Sequence, residues 1–242
     1  MTWVLANLEQ ILELSLTHLR LSLLPIVLGF VIAIPLGWVA HRYRLTRGLI
    51  LTLVGLLYTI PSLALFVVLP PLLGTPFLSE ANVLIALTIY AVAIMARSTA
   101  DALASVDPDI QQAATAMGYS SWRRFWAVDL PLAGPVLLAG LRVVAVSTVS
   151  LLTVGVIVGV DSLGYLFTNG YQRGILASVL TGVVVTVLIA LLLDRVLALL
   201  GAWLMPWTRA GRASRRSRVA QTSQLVDRAP ATVGTGVQGS GA

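Results

Sequence analysis

The chain has 242 residues, of which 57% are hydrophobic and only 11% are charged, and its mean hydropathy is +0.91. A soluble domain carries about twice this charged fraction, so these values disfavour a soluble globular protein and indicate a membrane protein. The formal net charge is +6, and all 16 basic residues are arginines. The sequence contains no cysteine, which excludes a disulfide framework and a thiolate metal site, and no other metal site is predicted.

The N-terminal segment differs from a signal peptide. It lacks a positively charged start and contains Glu9 and Glu13. We therefore predict a short amphipathic helix over residues 1–18 that lies on one membrane surface.

Long apolar runs predict how often the chain crosses a bilayer. A bilayer core of about 30 Å requires roughly 20 apolar residues in a helix. Five runs meet or approach this length: residues 21–40, 48–79, 81–96, 137–160 and 174–193. They predict an all-α membrane protein with about five transmembrane helices, in a domain that covers residues 19–207.

Two of these runs contain features that interrupt a simple span. Pro61 removes a backbone hydrogen bond within the second run and predicts a kink there. This run is too long for one span, so the span is predicted to end near Pro70, followed by an outer loop or a re-entrant turn. Asp194 and Arg195, which follow the fifth run, are predicted to anchor that helix near the membrane surface.

The arginine distribution predicts the orientation of the chain. Arginines cluster between the first and second runs, between the third and fourth, and after the fifth, all on one side of a five-span protein. Because basic residues accumulate on the cytoplasmic side, the N-terminus is predicted outside and the C-terminus in the cytoplasm.

The last segment, residues 208–242, is rich in Arg, Ser and Gly and is predicted to be a disordered cytoplasmic tail. Its arginines are expected to lie near anionic lipid headgroups, and no nucleic-acid partner is predicted.

The predicted cytoplasmic loop between the third and fourth runs covers about residues 101–131 and contains signals for a short helix. Asp107 can cap this helix, Pro108 suits its first position, and the helix is predicted to run to about Met117. Gly118 would then allow a sharp turn.

Signals for a second short helix follow in the same loop. Ser120 or Ser121 can cap it, and Pro131 is predicted to precede the next span. The helix would carry the aromatic residues Trp122, Phe125 and Trp126. Composition alone permits two interpretations: a rigid knob that projects into the cytoplasm, or an interfacial hairpin whose tryptophans lie among lipid headgroups.

The spacing within this loop favours the knob. The sequence has Gln112-Ala113-Ala114, three residues, Gly118, nine residues, and Val128-Asp129-Leu130-Pro131. This pattern resembles the cytoplasmic loop of ATP-binding-cassette (ABC) importer permeases, which usually carry Glu and Ile at the positions of Gln112 and Val128. The resemblance implies the type I importer permease fold, like that of methionine importers, in which this loop couples the permease to an ATPase.

Further stretches resemble the branch of this family that imports glycine betaine, carnitine and choline. They are residues 58–65, 140–142 and 159–164, and the whole resemblance covers roughly residues 15–205. It implies a multi-pass permease subunit of the cell membrane that forms a translocation pathway for an osmoprotectant. The implied partners are ABC ATPase subunits, a second permease subunit that is expected to be a different chain, an extracytoplasmic solute-binding protein and membrane lipid.

The chain is not predicted to be an enzyme. It has no glycine-rich loop that ends in Gly-Lys, and it has no lysine at all, so a phosphate-binding loop is missing from the sequence. The resemblance implies that ATP and Mg²⁺ bind to the partner ATPase, and no cofactor is expected on this chain.

Two groups of residues are candidates for function. By resemblance, the coupling group consists of Gln112, Ala113, Ala114, Gly118, Phe125, Trp126, Leu130 and Pro131. The candidates for the translocation pathway are polar or aromatic residues of the spans and one proline: Tyr58, Thr59, Pro61, Ser62, Tyr90, Ser147 and Thr148. Aromatic faces attract quaternary ammonium ions by cation–π contact. The alternative interpretation of the second group is structural, with a packed proline kink and hydroxyls that bond between helices.

Two alternative functions stay open on the sequence. A permease of the same architecture could import another small solute, such as an amino acid. The chain could instead be a membrane scaffold or an ion-coupled carrier. Inverted repeats are expected in such carriers, and the sequence contains no convincing repeat of this kind.

Overall fold

The computed structural model describes residues 2–208, except for the side chains of residues 2 and 44–46. Within this range every regular element is helical, which confirms the prediction of an all-α protein. The α-helices are α1 (Thr2–Ala6), α2 (Leu8–Arg42), α3 (Arg44–Thr59), α4 (Ser62–Leu73), α5 (Glu80–Ala104), α6 (Pro108–Ala116), α7 (Ser121–Arg124), α8 (Leu130–Leu152), α9 (Gly164–Arg173) and α10 (Leu176–Leu204).

Residues up to Gly201 form one compact unit, and a second unit begins at Ala202. The described part of the second unit contains the end of α10 and a turn, in which the N–H of Thr208 donates to the carbonyl of Met205. The predicted disorder of residues 208–242 concerns a tail that, beyond Thr208, lies outside the described residues.

Helix α2 replaces the separate surface helix that was predicted over residues 1–18. It is 35 residues long, and only the short α1 precedes it. Ile11, Leu14 and His18 are buried at three- and four-residue spacing, so their stripe continues into the buried face of the first predicted span. At 1.5 Å per residue the helix is about 52 Å long, well beyond a bilayer core of about 30 Å.

The second predicted span is built from α3 and α4, whose axes differ by 101°. The break lies at Ile60 and Pro61, where the backbone is extended, and it confirms the predicted kink at Pro61. Helix α4 continues through Pro70 and ends at Leu73, three residues later than predicted. Gly74 then closes the helix in the left-handed conformation (φ +67°).

Among the described residues, four helical segments are long and apolar enough to cross a membrane, and the bent pair of α3 and α4 would make a fifth. The predicted five spans correspond to these segments if the bent pair is counted as one crossing. The fourth segment runs over Ser121–Val158 and starts well before the predicted residue 137, because the second helix of the loop continues directly into α8.

Helix α5 is central to the bundle and packs against α2, α3, α4 and α8. Glycines bring two of these helices close to it. A Cβ atom added to Gly37 of α2 would lie 2.4 Å from the Cβ of Thr99, and one added to Gly140 of α8 would lie 2.6 Å from the Cβ of Ser98. Such close backbone approach provides the van der Waals contact that associates helices in lipid.

Exposed apolar side chains cover parts of α2 and α10 that face away from the core. Because acyl chains offer no hydrogen-bond partners, this is the surface expected of helices that face lipid. Examples are Leu24, Val31, Val184, Leu188 and Leu192. These positions are consistent with membrane lipid as a partner.

Candidate functional site

The first helix of the predicted cytoplasmic loop, α6, begins and ends as its sequence predicts. A carboxylate oxygen of Asp107 accepts a hydrogen bond from the N–H of Asp109 (2.9 Å), and Pro108 is the first helical residue. The helix ends at Ala116, and Gly118 follows with φ +85°. A Cβ atom on Gly118 would meet no atom within 4 Å, so the turn requires glycine for its backbone conformation and not for space.

The second helix, α7, is a single turn that leads into the next span. The Ser120 hydroxyl accepts from the N–H of Arg123 (3.3 Å), so Ser120 and not Ser121 is the cap. A π-helical turn, Phe125–Asp129, joins α7 to α8. This turn was not predicted from the sequence, although Pro131 is its signal. Proline cannot donate to the carbonyl four residues earlier, and this favours a local change of helical register.

Aromatic side chains fasten the loop to α2. Trp38, in the last turns of α2, contacts Trp122 at a ring-centroid distance of 6.1 Å and Phe125 at 5.7 Å. Trp126 packs against Phe125 at 5.1 Å. Phe125 is buried, whereas Trp122 and Trp126 remain at least half exposed. Trp38 was not identified from the sequence. The feature that could have identified it is its position near the end of the first predicted span, at the same membrane surface as the loop.

Arg124 connects the two halves of the loop. Its guanidinium donates to the Thr115 hydroxyl of α6 (3.1 Å) and to the Asp129 carboxylate of the π-helical turn (3.3 Å). Asp129 is buried, so this ion pair is partly shielded from water. The loop is therefore a compact body of two helices whose relative position is set by one arginine and the aromatic cluster.

The predicted coupling residues occupy different parts of this body. Gln112, Ala113 and Gly118 are exposed, Ala114 is buried, and Leu130 and Pro131 form the start of α8. Two large apolar side chains are also exposed here, Ile110 in α6 and Met117 directly after its last residue.

Six of the seven predicted pathway residues line one open groove of about 570 Å³ between α3, α4, α5 and α8. They are Tyr58, Thr59, Pro61, Ser62, Tyr90 and Ser147, joined by Ile60, Val146, Ser150 and Leu151. The seventh residue, Thr148, is buried in the packed interior of α8 and does not line the groove.

The helix break and the groove are one structural feature. The hydroxyl of Tyr90 donates to the carbonyl of Ile60, which lies at the break between α3 and α4. The ring of Tyr58 meets the ring of Tyr90 edge to face, with centroids 6.1 Å apart. The kink thus places a neutral wall of aromatic rings and hydroxyls along the groove, and none of its lining residues in the described structure is charged.

Two contacts between distant helices were not predicted. Arg142 of α8 donates to both carboxylate oxygens of Asp194 of α10, at 2.6 and 2.7 Å, so Asp194 is paired across the bundle and does not simply anchor its helix. Buried His18 of α2 contacts the carbonyl of Val149 of α8 through its Nε2 atom (3.0 Å). Both contacts pair polar groups within candidate spans, where unpaired groups are costly.

Residues 25–209 match the family described as the binding-protein-dependent transport system inner membrane component, so the chain belongs to this family of transport subunits. The match and the apolar helices together identify a multi-pass membrane permease.

Named relatives and solved structures agree with this class. The glycine betaine/carnitine/choline transport system permease protein OpuCB of Bacillus subtilis is 30% identical over 82% of this chain and 90% of the relative. The osmoprotectant import permease protein OsmW of Salmonella typhimurium is 29% identical over 84% of this chain and 96% of the relative. An inward-facing MetNI methionine ABC transporter chain superposes with a TM-score of 0.71 at 23% identity, covering 80% of this chain and 95% of that chain. The likeness confirms the type I ABC importer permease fold.

Proposed function

We propose that this chain forms, with a second permease subunit, the translocation pathway of an ABC importer for glycine betaine or a related quaternary-ammonium osmoprotectant. The similarity to permeases named for these solutes over more than four fifths of the chain carries the proposal. The groove beside Tyr58 and Tyr90 supports it, because neutral aromatic walls attract a quaternary ammonium ion without binding it tightly.

The loop of α6 and α7 is proposed to couple this pathway to ABC ATPase subunits, which would bind ATP and Mg²⁺. Its exposed apolar side chains, Ile110 and Met117, would enter a groove on the ATPase, beside the motif residues Gln112 and Ala113. No cofactor is proposed on this chain itself.

Transport in this proposal follows from rigid-body motion. ATP binding would bring the two ATPase subunits together and shift the loop, and α8 would follow because it is joined to the loop by continuous helical structure. The driving free energy is the difference in ATP affinity between the two states of the complex. An extracytoplasmic binding protein would deliver the solute to the outward-facing state.

The proposed orientation places the N-terminus outside and the C-terminus in the cytoplasm. The contact between Arg47 and Asp101 (3.8 Å) supports it, since it brings the arginine-rich turn after α2 to the end of α5 that leads into the loop. At the other end of α5, Glu80 pairs with Arg20 (3.0 Å). Basic residues thus concentrate on the side of the loop, as expected for the cytoplasmic face.

The test is uptake by the complete complex in proteoliposomes, with labelled glycine betaine, carnitine, choline and methionine offered separately. ATP-dependent uptake of at least one quaternary-ammonium solute, and none of methionine, is the expected result. Uptake of methionine alone would contradict the proposed solute class and leave the permease architecture in place. Uptake driven by an ion gradient without ATP would contradict the coupling proposal.

A further inference from the structure

A second, smaller pocket adjoins the groove. It has a volume of about 300 Å³ and shares Tyr58 with the groove. Its size is at the lower end of the range of about 300–1,000 Å³ found for small-molecule sites. The shared ring makes the two pockets neighbours along one surface.

The wall that α5 contributes shows how the pockets are arranged. Tyr90 lines the groove, and Ile94, Arg97 and Asp101 line the second pocket, with spacings of four, three and four residues. Such spacings keep side chains on one helix face. Arg97 follows Tyr90 by seven residues, which is about 10 Å along the helix axis. The second pocket therefore continues the groove towards the α6–α7 loop.

The two pockets differ in charge. The groove is lined by rings, hydroxyls and apolar groups, whereas the second pocket contains a guanidinium among apolar neighbours such as Ala93, Ile94 and Val143. Asp101, in the same pocket, pairs with Arg47 at 3.8 Å. Arg97 is exposed and forms no ion pair with any carboxylate in the described part of the chain.

An arginine within a candidate membrane helix is costly unless it has a partner or reaches water, and it marks a functional position by default. Its planar fork of N–H donors matches the two oxygens of a carboxylate. We propose that the Arg97 pocket is the carboxylate-binding site of the pathway and that it distinguishes zwitterionic solutes from solutes with no carboxylate. In this arrangement the ammonium group contacts the ring of Tyr58, which lines both pockets, while the carboxylate contacts Arg97.

This inference rests on the proposed function and adds a selectivity to it. Glycine betaine and carnitine carry a carboxylate, and choline does not. A topology-determining arginine would act equally on all solutes, because it would affect insertion and assembly and not the recognition of one chemical group.

The experiment measures ATP-dependent uptake of glycine betaine and choline by the complete complex in proteoliposomes, at saturating binding protein, with the Arg97→Gln variant. We expect the ratio of glycine betaine to choline uptake to fall by about tenfold or more, as for the loss of a hydrogen-bonded charge pair. Arg195→Gln is the matched control. It removes an exposed arginine from α10 that lines neither pocket, and the ratio should stay unchanged.

Arg97→Lys keeps the positive charge but loses the planar guanidinium with its paired N–H donors. It therefore retains the topology signal, and it replaces Arg97→Gln as the test variant if the glutamine variant fails to assemble. It should lower the same ratio by a smaller factor. An equal change for both solutes, or no change for either, would overturn the inference. If the unaltered complex imports choline but not glycine betaine, the proposed function survives and the Arg97 site is refuted. If it imports neither solute nor carnitine, the function and the site both fail.

Discussion

Hydrogen bonds within the predicted cytoplasmic loop join residues that are close in the chain, and the loop reaches a distant helix through its aromatic contacts with Trp38 of α2. Contacts in the groove, in contrast, join helices that are far apart in sequence. Arg124 reaches Thr115 and Asp129, nine and five positions away. The hydroxyl of Tyr90 reaches the carbonyl of Ile60, 30 positions away. The loop can therefore keep its internal shape while it moves as a body. The groove changes shape whenever α3, α5 and α8 shift relative to one another, as its proposed role in transport requires.

Because the contacts of the loop and of the groove are separate, we predict that loop variants uncouple the proposed pathway from the ATPase while the groove itself stays intact. Gly118→Val tests this most severely, because a β-branched residue is strained at φ +85°. ATP-dependent uptake should fall by well over tenfold, and less ATPase should co-purify, while membrane insertion is unchanged. Gly118→Asn, which tolerates this conformation, should retain most of the activity. Full uptake by the valine variant would show that the turn is not needed for coupling.

Arg124→Gln should have the next largest effect, since it removes the connection between α6 and the π-helical turn and leaves the Asp129 carboxylate buried without its partner. An unsatisfied buried acceptor costs about 1–3 kcal/mol, so uptake is expected to fall by about tenfold. The neighbouring variant Arg123→Gln is the control, because the Arg123 side chain is exposed and stacks over the ring of Tyr119. Equal losses in both variants would indicate that charge alone matters in the loop.

Tyr90→Phe tests the groove. It removes the hydrogen bond to the Ile60 carbonyl and keeps the ring contact with Tyr58. A neutral hydrogen bond is worth about 1 kcal/mol, so uptake should fall by about fivefold. Co-purification of the ATPase should stay unchanged, in contrast to the loop variants. A loss of ATPase in this variant would show that the loop and the groove are not separable.

Ser120→Ala should give the smallest effect. It removes the cap of α7, a contribution of about 0.5–1 kcal/mol, and the aromatic cluster still holds the short helix in place. We expect a decrease in uptake of about twofold, which Ser120→Asp should restore because aspartate also caps helices. The Ser121→Ala variant provides the comparison and should behave like the unaltered protein. A tenfold loss in Ser120→Ala would mean that the cap, and not the ring packing, holds α7.

The same contrast explains which features could be predicted. Asp107, Pro108 and Gly118 act through their own or adjacent backbone groups, so the ends of α6 are evident from the sequence. The pairing of Arg142 with Asp194 joins residues 52 positions apart, and no local pattern reports it. Trp38 likewise acquires its role only when α2 and the loop are packed together.

Two predictions from the sequence were partly wrong, because each was based on local composition. Thr148 was grouped with Ser147 because both carry hydroxyls, yet adjacent residues on a helix point about 100° apart, so only Ser147 reaches the groove. The surface helix over residues 1–18 was expected because this segment contains charges. Its buried side chains instead extend α2, because tertiary packing outweighs the local composition.

The uninterrupted helical run over Ser121–Val158 connects the loop to the groove and can transmit a tilt from one to the other. Phe125, at the loop end, and Ser147, in the groove wall, are 22 residues apart on it. At 1.5 Å per residue this is an arm of about 33 Å, so a tilt of about 5° displaces the far end by about 3 Å. The π-helical turn, which begins at Phe125, and Pro135 further along α8 set the stiffness of the arm. A small displacement at the proposed ATPase-binding surface of the loop would thus produce, in the proposed pathway, a movement comparable to the radius of a small solute.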